Sequence, residues 1–202
     1  MFRIPTPRIL VSVLTLALMS AACQSTSTVS SQDVWTQPSK QLAHKIEEEA
    51  SRLPWTHGLD RVQLIHWFAQ VGEPAYPTLL AMVEDPREDV AGSALAALGA
   101  TRDSRLVEHL HAIPIAEGSA DLELERARTL LRLGDWSVMP RLIEGMRDER
   151  LMARALCFQA LSETTRERFD FDPRGDAEER EAAVQRWEAW WAERTGDALL
   201  DS

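Results

Sequence analysis

Few residues in this chain have the types and spacing that chemistry needs. The histidines stand at 44, 57, 66, 109 and 111, and the one close pair, His109 and His111, is two apart. On a helix such a pair points to different sides, whereas a zinc site wants ligands three or four apart or a second cluster. Asp170 and Asp172 suggest a calcium loop, but proline and arginine follow where further oxygen ligands are needed. A turn with Asp176 as the N-cap of the next helix fits that stretch better. No serine–histidine–acid set and no glycine-rich phosphate loop is present in the sequence. These residues point to no catalytic site, no metal and no cofactor.

Two sets remain as candidate binding residues. Arg126 and Arg154 recur at equivalent places in two similar stretches, with Arg150 four residues before Arg154. Projecting the same way from neighbouring helices, they would form a ladder for the carboxylates of a protein partner. The alternative is ordinary ion pairing with Glu123, Glu125 and Asp121. Trp187, Trp190 and Trp191 share a helical stripe with Val184 one turn earlier. They are either an aromatic platform for sugar rings or a cover for apolar surface at the end of a fold, and the cover is preferred. Cys157 falls on the same small position as Ala94 and Thr129, so it reads as a packed residue rather than a nucleophile.

The stretch from Val71 to Thr164 must position these side chains, and it repeats itself. Val71-Gly72, Leu98-Gly99 and Leu133-Gly134 each end an apolar run. Each is followed by a polar turn and a second apolar run. Sliding the first unit by 63 residues sets Pro77 on Pro140, Leu79 on Leu142, Leu80 on Ile143, Arg87 on Arg150 and Leu98 on Leu161. A period near 30 with two helices per unit is the pattern of an α-solenoid. Helices are expected over Pro38–Arg52, Gly58–Val71, Pro74 or Pro77 to Glu84, and Arg87–Leu98 with Gly99 as its stop. Further helices are expected over Ser104–Ala112, Asp121–Leu133, Asp135–Arg147, Glu149–Ser162 and Ala177–Arg194. Leu95, Leu130 and Phe158 form one core column, and Leu98, Leu133 and Leu161 another. With almost no alternating pattern in the sequence, the fold class is all-α.

Helical hairpins with proline in the first helix and aspartate after it resemble HEAT repeats, including the short bacterial kind related to phycobilisome-lyase repeats. The resemblance covers Gly58 to Thr164. It implies a short right-handed α-solenoid acting as a non-enzymatic scaffold for protein partners. Lyase activity is not carried over, because no phycobilin-handling cysteine chemistry is visible. The Asp172-Pro173 turn and the helix behind it resemble the tryptophan-rich terminal segment that follows HEAT repeats in some bacterial proteins, which implies a capping helix.

The first residues read as an address. Arg3 and Arg8 precede an apolar run from Ile9 to Met19, then small residues, then Cys23. That is the pattern of a secretory signal peptide. Met19-Ser20-Ala21-Ala22-Cys23 resembles the lipobox of bacterial lipoproteins, which implies removal of residues 1–22 and lipidation of Cys23 with two or three acyl chains. Gln24, rather than aspartate, follows the cysteine, and in that family this implies the outer membrane, facing the periplasm. Residues 23–37 are then the lipidated cysteine and a serine- and threonine-rich tether, reaching about 17 Å over its most polar part. Residues 38–164 form the repeat domain and 165–202 the turn and capping helix.

Loss of residues 1–22 removes two arginines and no acid, so the net charge moves from −10 to −12. Nucleic acid and anionic lipid are poor partners for such a field. Membrane contact is expected through the lipid alone, and a protein of the cell envelope is the expected partner. Cell-wall glycan, held by the tryptophan stripe, is the alternative ligand.

Overall fold

The computed structural model describes residues 35–115 and 118–200, with side chains as far as residue 196. Among the described residues all regular structure is helical. The helices are α1 (Lys40–Arg52), α2 (Gly58–Val71), α3 (Tyr76–Val83), α4 (Glu88–Thr101), α5 (Leu106–Ala112), α6 (Ala120–Arg132), α7 (Met139–Gly145), α8 (Leu151–Thr165) and α9 (Ala177–Leu200). Short 3-10 turns at Leu53–Trp55, Glu73–Ala75 and Trp136–Val138 join them.

Local chemistry accounts for several helix ends. Ser39 Oγ accepts the Leu42 N–H at 3.2 Å, so α1 starts at Lys40 rather than at Pro38. Asp176 Oδ1 accepts the N–H groups of Glu178 and Glu179, both at 2.9 Å, and starts α9 as the sequence indicates. Gly72 and Gly134 take positive φ, 67° and 96°, as expected of helix-ending glycines.

Gly99 departs from that expectation. It lies inside α4, which runs on to Thr101, and Arg102 supplies the left-handed residue at φ 57°. A Cβ on Gly99 would meet Thr129 Cγ2 at 3.3 Å and Thr129 Cα at 3.4 Å. Thr129 Oγ1 in turn donates to the Leu95 carbonyl at 3.0 Å. The glycine therefore allows α4 and α6 to approach closely; it does not stop a helix.

The even-numbered helices pack in sequence, α2 on α4, α4 on α6 and α6 on α8, while α3, α5 and α7 each lie against the helix that follows. Both expected columns are buried, yet they do not belong to a single core. Leu95, Leu98, Leu130 and Leu133 sit in one apolar cluster, Phe158 and Leu161 in a second. The division runs through α6, where Leu130 faces the first cluster and Leu131 the second. Neighbours on a helix point about 100° apart, so a helix enclosed between α4 and α8 serves two cores.

Packing also begins earlier than the expected tether boundary at residue 37. Trp35 is buried, with its ring edge-on to Tyr76 at 5.0 Å and 5.1 Å from the His109 ring. The Arg105 guanidinium lies 5.3 Å from the indole centre, and Thr36 Oγ1 donates to Glu73 at 2.8 Å. An indole beside aromatic and cationic neighbours gains more by docking than the polar residues before it would.

Gly145 marks the tightest place in the second core. A Cβ there would collide with Cys157 Sγ and stand 3.1 Å from Leu124 Cδ2. Gly145→Ala should therefore lose about 1–3 kcal/mol by overpacking. In a Cys157→Ala background, where the sulfur is gone, most of that loss should disappear. Urea unfolding of the four proteins in this cycle measures the coupling, and equal losses in both backgrounds would refute the contact.

Candidate functional site

The arginines expected to form a ladder are held inside the chain. Arg154 is 9% exposed. Its Nη1 donates to the carbonyls of Asp148 and Glu149, both at 2.8 Å, while Nε and Nη2 donate to the Pro173 carbonyl at 3.0 and 2.8 Å. It joins the turn before α8 to the loop before α9. Arg126 Nη1 donates to the Ile113 carbonyl at 2.9 Å, and its Nη2 pairs with Glu123 at 3.1 Å. Arg61 acts in the same way on α2, donating to the Thr56 and Leu53 carbonyls at 2.8 and 3.2 Å. Each of these guanidiniums bonds backbone carbonyls of the segment that leads into its helix, and Arg154 also bonds one of the loop that follows.

Arg150 belongs to a device that recurs along the chain. In Asp148-Glu149-Arg150 the carboxylate accepts the backbone N–H of Arg150 at 2.9 Å, and the guanidinium turns back onto it at 2.8 and 2.9 Å. Asp85-Pro86-Arg87 and Asp103-Ser104-Arg105 make the same closed turn. The adjoining guanidiniums hold the Asp85 and Asp148 carboxyls down at about 2. The 63-residue offset had already placed Arg87 on Arg150; the signal missed in the sequence is the Asp-x-Arg spacing, which gives the aspartate one backbone and one side-chain donor. Arg150 also pairs with Asp121 of α6.

The tryptophans divide by depth. Trp187 is 0% exposed, edge-on to Phe169 at 4.9 Å, whereas Trp190 and Trp191 are half-buried. Phe169 and Asp170 hold φ of 48° and 56°, a left-handed pair without glycine. Arg186 donates to the Phe169 carbonyl at 3.2 and 2.8 Å and helps keep that backbone. Trp191 lies nearly parallel to Trp136, at 11° with centres 6.3 Å apart, and the Arg194 guanidinium sits 4.4 Å from the Trp190 ring centre. Trp136, 39% exposed, was not singled out in the sequence, because it stands 55 residues from its partner.

The remaining candidates separate. His109 packs on Trp35, while His111 pairs with Asp135 at 2.7 Å. Burial pushes the Cys157 thiol up to about 12, which leaves it a poor nucleophile. Cys23 lies outside the described residues.

Between α6 and α8 the structure forms a groove of about 340 Å³. Leu124, Ala153, Ala155 and Leu156 line it together with Asp121, Glu125, Arg128 and Gln159. Met152 also lines it and is 78% exposed. Two ion pairs link the same elements, Arg150 with Asp121, which lines the groove, and Arg132 with Glu163 at 2.6 Å. Burial raises the Glu125 carboxyl although Arg128 and Arg132 oppose the shift. The sequence signal for the groove was weak: a methionine one residue into a helix reads as core unless its neighbours are known.

The chain matches no family model, no curated protein and no solved structure. Among the described residues no helix is long and apolar enough to cross a membrane.

Proposed function

We propose that this protein is a lipid-anchored, non-enzymatic scaffold of the bacterial cell envelope that holds a protein partner in the groove between α6 and α8. The observation that carries the proposal is Met152, a large apolar side chain left 78% exposed on a groove in which Leu124, Ala153, Ala155 and Leu156 alternate with polar and charged side chains. Methionine adapts its shape to a partner at little cost, and a preformed groove needs little rearrangement. Glu125, which lines the groove and pairs with Arg128 at 3.2 Å, sets a carboxylate where a basic residue beside the partner's apolar side chain can join that pair.

The architecture proposed is a short right-handed α-solenoid of HEAT-like hairpins, with α9 as a tryptophan-rich cap. The successive packing of α2, α4, α6 and α8, the closed Asp-x-Arg turns and the contact of α9 with α7 support it. The anchor proposed is acylated Cys23 at the outer membrane, supported by the sequence around it. The partner surface shifts from the arginine ladder to the groove, because Arg126 and Arg154 spend their donors inside the chain, while Arg150 pairs with Asp121, which lines the groove.

A second reading, glycan binding, is favoured by Trp136 and Trp191, which lie nearly parallel at the surface beside Trp190. One experiment separates the two. A photo-reactive amino acid at Met152 should capture a protein in cells, and Met152→Glu should weaken co-purification of that protein about tenfold or more. The melting temperature should hardly change, because Met152 is a surface residue. Unchanged co-purification would defeat the groove reading. Retention on cell-wall glycan that is lost in Trp136→Ala and Trp191→Ala would establish the second.

A further inference from the structure

The most exposed large apolar patch lies away from that groove, at the first two helices. Trp55 is 80% exposed, Leu59 71% and Val62 48%. Leu59 and Val62 share a stripe on α2, three residues apart, and Trp55 closes the 3-10 turn just before the helix. Leu64 and Phe68, on the other side of α2, are buried. From Leu53 to Leu59 there is no carboxylate, lysine or arginine, in a chain with 32 acidic and 22 basic residues. Arg61 holds the turn by its bonds to the Leu53 and Thr56 carbonyls and is itself paired with Asp89 at 2.7 Å. The three apolar side chains thus project from a fixed base, and the charges between Leu59 and Val62 are Asp60, exposed, and Arg61, tied to Asp89.

We propose that Trp55, Leu59 and Val62 insert into the headgroup region of a zwitterionic lipid bilayer, as a second hold on the membrane beside the lipid on Cys23. The proposal rests on the lipid-anchor part of the proposed function. Area argues against a protein in this place. The three side chains expose on the order of 400 Å², about half of what one partner buries in a stable protein interface. A protruding tryptophan with aliphatic neighbours suits the boundary between headgroups and acyl chains. Eleven residues separate Cys23 from Trp35, about 40 Å when extended. The 13 residues of α1, which lie between Trp35 and Trp55, span about 20 Å, so the tether lets the patch reach the surface in which Cys23 is held. The net charge of −12 that remains without residues 1–22 selects zwitterionic over anionic lipid.

The test uses the full acylated chain in phosphatidylcholine and phosphatidylethanolamine vesicles, with or without bromine on the acyl chains. Bromine quenches only tryptophans in contact with lipid. Fluorescence of the vesicle-bound protein should fall with brominated lipid, and Trp55→Phe should remove most of that quenching. Leu59→Asp with Val62→Asp should reduce it while the helical circular-dichroism signal stays. Equal quenching in wild type and Trp55→Phe, no quenching in protein that floats with the vesicles, or failure of the wild type to float would overturn the proposal. So would a photo-reactive residue at position 55 that captures protein instead of lipid in cells. The anchor is tested separately, by fatty-acid labelling of wild type and Cys23→Ser. Unchanged labelling in the mutant would sink the anchor, whatever the quenching shows.

Discussion

Arg154→Glu should cost about 3–5 kcal/mol, the range for breaking a buried charged contact, out of the roughly 5–15 kcal/mol that holds a typical domain. The guanidinium ties three carbonyl oxygens from two separate segments, those of Asp148, Glu149 and Pro173. Hydrogen bonds to a charged group are worth about 1.5–3 kcal/mol each, and a buried acceptor left without a donor adds its own penalty. Glutamate would go further and set a carboxylate against those oxygens. Arg154→Lys should fall between, because an ammonium lacks the planar fork that reaches both segments at once. Arg126→Glu should cost far less, since that side chain is more open and its main partners are one carbonyl and Glu123. Equilibrium unfolding in urea measures all three. A midpoint for Arg154→Glu equal to that of wild type would show that the latch contributes nothing. Any loss of partner capture in an Arg126 and Arg154 double reversal therefore reports the fold before it reports a binding face.

Trp187→Ala should cost about 3–5 kcal/mol, the usual range for a large aromatic side chain removed from a core. Trp187 is wholly buried, with Phe169 edge-on at 4.9 Å and Trp190 at 5.7 Å. Its indole N–H is buried and finds no acceptor among the described residues. Packing, not a hydrogen bond, is then what the residue supplies. Trp187→Phe should accordingly lose much less than Trp187→Ala, because phenylalanine keeps the ring contact and gives up an N–H that was costly to bury. The Ala variant should also lose near-ultraviolet dichroism from the aromatic group around Phe169. Equal losses in the two variants would reveal a polar partner for the indole. Trp191→Ala, at the surface against Trp136, should change stability little.

Local signals in the sequence were sufficient for the all-helical class and for several helix ends. Apolar periodicity, a capping aspartate at 176, and glycines at 72 and 134 act within one turn of helix, so neighbours in sequence settle them. Burial of Leu95, Leu98, Leu130 and Leu133 was legible for the same reason. Only the tertiary structure decided where long side chains spend their donors and which faces stay open. Gly99 resembled a helix stop until Thr129, 30 residues on, proved to be pressed against it. Arg126 and Arg154 looked equivalent, yet Arg154 reaches Pro173, 19 residues away, while Arg126 bonds Ile113 and Glu123. Met152 and Trp55, apolar in type, are exposed among the described residues. The reason is common to all: periodicity reports the direction a side chain leaves its helix, whereas its partner depends on what distant segment the fold brings to that side.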